Sequence, residues 1–236
     1  SGEAFVLILL KEPQGGPGIS SEDGFVVRRS RAKEAKEAFF ANRGVGKEIS
    51  SDGISIRSEF FTIGALSANV DAAGLAALLR NPAVASVEPK RVYTINRGAL
   101  SSNESISLNE SAPLIGADNV WNLSVAGVNL TGHGRRICVI DTGIRHSHFL
   151  FGPVVIASNI VGGILGGYDF VNNDTNSSDD HGHGSHVSGT AVGNFTGSPR
   201  LQAPAHNAQV VPVKVCDSAG ICNFVAEGID YCTNNV

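Results

Sequence analysis

Arg136-Ile137-Cys138-Val139-Ile140-Asp141-Thr142-Gly143-Ile144 and, further along, Asp179-Asp180-His181-Gly182-His183-Gly184-Ser185-His186-Val187-Ser188-Gly189 are the stretches on which the fold turns. Ile137 to Ile140 form a short apolar, β-branched run that stops abruptly at Asp141-Thr142-Gly143. That pattern predicts a strand buried on both faces that delivers a carboxylate at its C-terminal edge. In open α/β sheets this edge is where ligands sit. His183 lies between two glycines, just ahead of the small-residue segment His186 to Ala191, which reads as a helix packed close to a sheet. A carboxylate and an imidazole are thus predicted at the mouths of neighbouring elements.

The two stretches, in this order, resemble the subtilisin-like serine peptidases (subtilases), whose aspartate motif reads like VIDTGI and whose histidine motif reads like HGTHVAGT. Here Ser185 and Ser188 stand for the threonine and alanine of the second motif, both conservative departures. The resemblance implies a doubly wound parallel α/β sheet and a catalytic role for Asp141 and His183. In that chemistry the histidine is general base and then acid, and the aspartate fixes its tautomer and stabilises the imidazolium. A GTSxA-like serine segment and the family's oxyanion-hole asparagine are both missing from these residues. The expectation is therefore an N-terminal fragment of a subtilase precursor, with an incomplete sheet, that does not hydrolyse peptides by itself. The alternative is a catalytically dead remnant whose first domain acts as a peptidase inhibitor or folding module.

Residues 4 to 93 read as strand (Ala4 to Leu10), helix (about Ser30 to Asn42), strands (Ile54 to Phe60 and Thr62 to Val70), helix (Asp71 to Arg80) and strand (Val84 to Val87). Asp71 is the expected N-cap of the second helix, and Asn81-Pro82 stops it. The order βαββαβ predicts a ferredoxin-like α+β layer. Asn81-Pro82-Ala83-Val84-Ala85-Ser86-Val87-Glu88-Pro89-Lys90-Arg91-Val92 resembles the end of the subtilase inhibitory propeptide. The resemblance implies a product-like tail that binds the cleft as an added strand, with Tyr93, Thr94 and Ile95 as its residues. Domains are accordingly expected at 1–97 (propeptide, an intramolecular inhibitor), 98–112 (an exposed, cleavable linker) and 113–236 (the first part of the catalytic domain). Arg97 suits a basic-residue processing enzyme, and the bond cut is left open.

Later segments are similar to the family as well. Trp121 is expected in the core. Ala203-Pro204 through Val215 resembles APxAxLxxVKV, and Gly220 aligns with the edge-strand glycine that holds substrate backbone, although Cys222 replaces a second glycine often found there. Asn223 to Asn234 reads as a helix offering Phe224, Val225, Gly228, Ile229 and Tyr231 for packing. Leu150 stands where many members carry a calcium-binding aspartate, which removes a hard oxygen ligand. No metal or other cofactor is predicted at that site. Asp169, Asp174, Asp179 and Asp180 are read as a solvated acidic loop, with calcium as the competing reading. His181, His183 and His186 beside Asp180 invite a zinc assignment, which the aspartate motif and first domain argue against. His181 is then a loop residue and His186 a packed helix residue.

The formal net charge of −4 over 236 residues argues against a polyanion-binding surface, so nucleic acid is not an expected partner; the subtilase resemblance implies polypeptide substrates. Ala4 to Leu10 is too short to span a bilayer and follows Glu3, so it reads as a strand and not a signal peptide; any secretion signal lies upstream of Ser1. The lack of methionine points to a processed chain or a fragment. Seven N-x-S/T sequons, at Asn103, Asn109, Asn122, Asn129, Asn173, Asn176 and Asn194, predict glycosylated surface loops in a secretory or extracellular protein. Cys138, Cys216, Cys222 and Cys232 can pair in three ways. The turn-like DSAGI favours Cys216 with Cys222, and Cys138, in the buried strand, reads as an inert apolar thiol.

Overall fold

The structure, a computed structural model, describes residues 2–13, 24–42, 53–95, 108–151, 166–197 and 200–235. The chain divides into two compact units, Ser1–Arg91 and Val92–Val236.

The first unit runs β1 (Ala4–Leu10), α1 (Gly24–Asn42), β2 (Ile54–Glu59), β3 (Ala65–Val70), α2 (Ala72–Arg80) and β4 (Val84–Pro89). Its sheet has the order β2-β3-β1-β4 with every neighbouring pair antiparallel. Strand alternation buries Val6, Ile8 and Leu10 of β1 on one face, where they meet Phe39 of α1 and Leu78 of α2 in a single core. Asp71 caps α2 as expected, its carboxylate accepting from the Gly74 amide at 2.8 Å. Two boundaries depart furthest from expectation. Helix α1 begins at Gly24, ahead of Ser30, whose hydroxyl donates to Glu34 at 3.1 Å across one helical turn and so does not cap anything. Strand β3 begins at Ala65, because the Ala65 amide turns back onto the Ile63 carbonyl at 2.8 Å.

The second unit opens with β5 (Tyr93–Thr94). The expected linker lies largely outside the described residues, as do Arg97 and Asn103. Its last part is not a linker: α3 (Leu108–Leu114) starts there, with Leu108 and Ala112 buried. Next come α4 (Ala117–Trp121) and the hairpin of β6 (Ser124–Val125) with β7 (Val128–Asn129). Half-buried Trp121 donates through Nε1 to the Pro204 carbonyl at 3.0 Å and meets His206 edge to face at 4.9 Å.

The centre of this unit is a parallel sheet. It contains β8 (Arg136–Asp141), β9 (Tyr168–Asp169) and β12 (Gln209–Lys214), in the order β8-β12-β9. Between β9 and β12 lie α5 (His183–Val192) and the short antiparallel pair β10 (Asn194–Phe195) and β11 (Leu201–Gln202). After β12 come β13 (Ile221–Cys222) and α6 (Val225–Asn235). Alternate residues face opposite ways. Val139 and Val210 pack with Val192 of α5, whereas Cys138, Ile140, Val211 and Val213 pack with Val225 and Tyr231 of α6. The sheet is therefore covered on both faces, which explains the unbroken apolar runs. Ile229 of α6 is the exception among its predicted packing residues, being 54% exposed.

Cys216 pairs with Cys222, as the turn-like spacer suggested. Cys138 is not a free thiol: it is bonded to Cys232, joining β8 to α6 across a sequence separation of 94. Loops of that length give a cross-link its largest effect on the unfolded chain. Replacing Cys138 and Cys232 together by alanine is expected to lower the unfolding free energy by about 2–5 kcal/mol in urea titrations; a loss below about 1 kcal/mol contradicts this account.

Candidate active site

Asp141 ends β8 and His183 begins α5. The His183 Nδ1 lies 2.8 Å from both carboxylate oxygens of Asp141. An ionised carboxylate only accepts, so Nδ1 carries a proton, and in the neutral imidazole Nε2 is then the lone-pair acceptor. Asp141 is 8% exposed and takes a further hydrogen bond at Oδ1 from the Thr142 amide, at 2.7 Å. Helix and strand meet this closely because Gly184 has no side chain: a Cβ there would fall 2.2 Å from the Gly143 carbonyl oxygen.

The surroundings of this pair differ from the solvated acidic loop that the sequence suggested. Asp179 was expected in a solvated loop, and it is instead half-buried and saturated with donors. Its Oδ1 accepts from the Thr142 hydroxyl (2.8 Å) and the amides of His181 (2.9 Å) and Gly182 (2.8 Å). Its Oδ2 accepts from the Ser185 amide (2.8 Å) and hydroxyl (2.5 Å). Burial by itself would raise the Asp179 pKa, but the Ser185 hydroxyl and the Gly182, His181 and Ser185 amides outweigh it and hold the carboxyl below its ordinary range. Asp169 also departs from the acidic-loop reading. It is 1% exposed, and its carboxylate accepts from the Val171 and Asn172 amides and the Asn172 side chain. Asp174 and Asp180 remain exposed. Lys214, buried beside Asp141 in the β8–β12 register, reaches Asp180 at 2.6 Å and donates to the Ser178 carbonyl at 3.1 Å.

The other histidines divide. His181 is half-buried, with its ring 6.3 Å from that of His183. His186, expected to be packed, is exposed on α5 because it faces away from the sheet, on the rim of a cavity of about 620 Å³ lined by Arg145, His148, Phe149 and Leu150. Burial, and then the Arg145 charge, push the His148 imidazole pKa down. Leu150 is 4% exposed. Among the described residues no group of three or more His, Cys, Asp or Glu side chains is gathered as a metal site.

Gly220 lies where an extended segment is bound. Strand β5 runs antiparallel to β13, pairing Thr94 with Ile221 and Tyr93 with Cys222, and the Ile95 amide donates to the Gly220 carbonyl at 2.8 Å. Gly220 has φ +77°, and a Cβ would come within 3.1 Å of His181 Nε2 and 3.4 Å of the Ile95 carbonyl oxygen. A side chain there would press on both the added strand and the histidine loop.

Residues 132–235 match the model of the subtilase family. Alkaline serine exoprotease A of Vibrio alginolyticus is 29% identical over 204 residues, covering 83% of this chain and 34% of the relative. Thermitase of Thermoactinomyces vulgaris is 30% identical over 119 residues, covering 50% and 37%. The thermophilic serine proteinase of Bacillus sp. strain AK1 is 26% identical over 212 residues, covering 89% and 48%. The chain thus spans about a third to a half of the length of these relatives. The crystal structure of the epidermin leader peptide processing serine protease from Staphylococcus aureus superposes with a TM-score of 0.56 at 12% identity, covering all of this chain and 48% of that one, a likeness of fold.

A depressed carboxyl pKa contributes stability above the unfolded value of 3.8 and loses it as pH falls through the folded value. Asp179→Asn should therefore be destabilised relative to the parent at neutral pH. The gap should close as unfolding is followed downward from about pH 4. A gap that stays constant to pH 2 would be inconsistent with this role for the ionised carboxylate.

Proposed function

Residues 132–235 belong to the subtilase family, and from that premise we propose that the chain is part of a serine-type endopeptidase zymogen. The observation that carries the reading is the Asp141–His183 pair at the C-terminal edge of a parallel sheet, with Nδ1 committed to the carboxylate. An imidazole held this way has one nitrogen available to take a proton from a hydroxyl nucleophile and return it to the leaving amine, while Asp141 stabilises the imidazolium between the two steps. The serine and the oxyanion donors are to be sought in parts of the protein outside these 236 residues, which cover only 34% and 48% of two of the relatives. The 236 residues are by themselves inert.

The first unit is read as the ferredoxin-like inhibitory propeptide. Its support is the strand that follows it: Tyr93 to Ile95 add to β13 beside Gly220 as a peptide substrate or product would. The protein is read as secreted and glycosylated. Asn109, Asn122, Asn129, Asn173 and Asn176 are exposed. Asn194 fits less well, being half-buried with its Oδ1 taken by Gln202 at 2.8 Å. Among the described residues no helix is long and apolar enough to cross a membrane.

Two measurements test the reading. Purified residues 1–236 should resist labelling by a serine-directed phosphonate, and robust labelling would refute the assignment of the nucleophile elsewhere. The transcript read beyond the Val236 codon should carry an oxyanion asparagine and then a glycine-threonine-serine segment. A stop codon at that point would leave the inhibitor or folding-module reading in its place.

A further inference from the structure

We propose that Asp179 is a positioning residue, whose carboxylate straps the loop after Asp141 to the first turn of α5 and thereby fixes the Asp141–His183 hydrogen bond. The inference rests on the functional reading above and deepens it.

His183 is the first residue of α5, where a helix has no intrahelical bonds on its leading amides and tends to fray. Gly182, immediately before it, has φ +100° and no side chain to cap with. The work of a cap falls to Asp179. Its two oxygens take the His181 and Gly182 amides on one side of His183 and the Ser185 amide and hydroxyl on the other. The same Oδ1 accepts from the hydroxyl of Thr142, the residue next to Asp141. That hydroxyl oxygen in turn accepts from the Gly184 amide at 2.9 Å, and the Ser185 hydroxyl oxygen accepts from the Arg145 amide at 2.8 Å. Every bond in this set joins residues 142–145 to residues 179–185 or holds the latter segment to itself. On either side of Asp179, buried Lys214 grips the Ser178 carbonyl and the Asp180 carboxylate, so the strap itself is anchored to β12. Asp179 makes no hydrogen bond to either ring nitrogen of His183. It acts through the placement of His183, to which proton transfer is sensitive at the level of about 1 Å.

The test follows the imidazole directly and needs no turnover. In the full 236-residue chain with labelled histidine, the His183 Nδ1 proton bonded to Asp141 should appear as a slowly exchanging, far-downfield resonance. Asp179→Asn, which puts a donor where two acceptors are needed, should abolish or broaden it. Thr142→Val, which removes one strap without changing any charge, should do the same. Near-ultraviolet dichroism establishes which variants are folded. Either folded variant that keeps the resonance at parental intensity and exchange rate overturns the inference. Where Asp179→Asn does not fold, Thr142→Val and Ser185→Ala decide by the same criterion. A parent chain without the resonance would overturn the Asp141–His183 pairing itself, and with it the functional reading, which separates the two failures.

Discussion

The backbone carbonyl of Asp141 accepts from two amides of the neighbouring strand's continuation, Val215 at 2.8 Å and Cys216 at 3.2 Å. Everything that matters in the second unit hangs on that point. The parallel register of β8 with β12 sets Asp141 opposite Lys214, and the carbonyl carries the pairing one step past the end of the sheet. The residue thus aims its carboxylate at His183, while its carbonyl holds the start of the segment that leads from β12 to Gly220 and β13. The Asp141–His183 pair and the strand β13 are tied to each other by main-chain hydrogen bonds that substitutions other than proline leave in place.

Much of this was legible in the sequence because it follows from local pattern. The apolar run Ile137 to Ile140 ending in Asp141, the Asp71 cap and the turn between Cys216 and Cys222 each need only a few neighbouring residues to be recognised. Features decided by distant partners were not legible. Cys138 looked like an inert thiol because nothing near it in the sequence announces Cys232. The helix was expected from about Ser30, where the run of strong helix formers sets in, yet the preceding Gly24 to Arg29 already belong to it.

The acidic residues show the same division more sharply. Asp169 and Asp179 are indistinguishable by composition from Asp174 and Asp180, and burial separates them because their acceptors are matched by backbone amides that any residue supplies. A physical signal for Asp179 was its place a few residues before the helix that begins at His183, where a carboxylate is a favoured partner for unsatisfied N–H groups. His186 was misjudged for a related reason: a histidine in a small-residue helix reads as packed, but the small residues alone form the buried face, with Gly184, Ser188, Gly189 and Val192 turned to the sheet.

The strand formed by Tyr93 and Thr94 has one more consequence. Its attachment to β13 is made through main-chain groups, and both of its side chains are exposed. The pairing therefore places little demand on which residues occupy it, and the segment is free to vary in sequence while remaining extended. It also leaves β13 with no open edge on that side. A bare edge strand is a template for pairing between chains, so β5 acts as a guard against self-association for as long as it stays paired with β13.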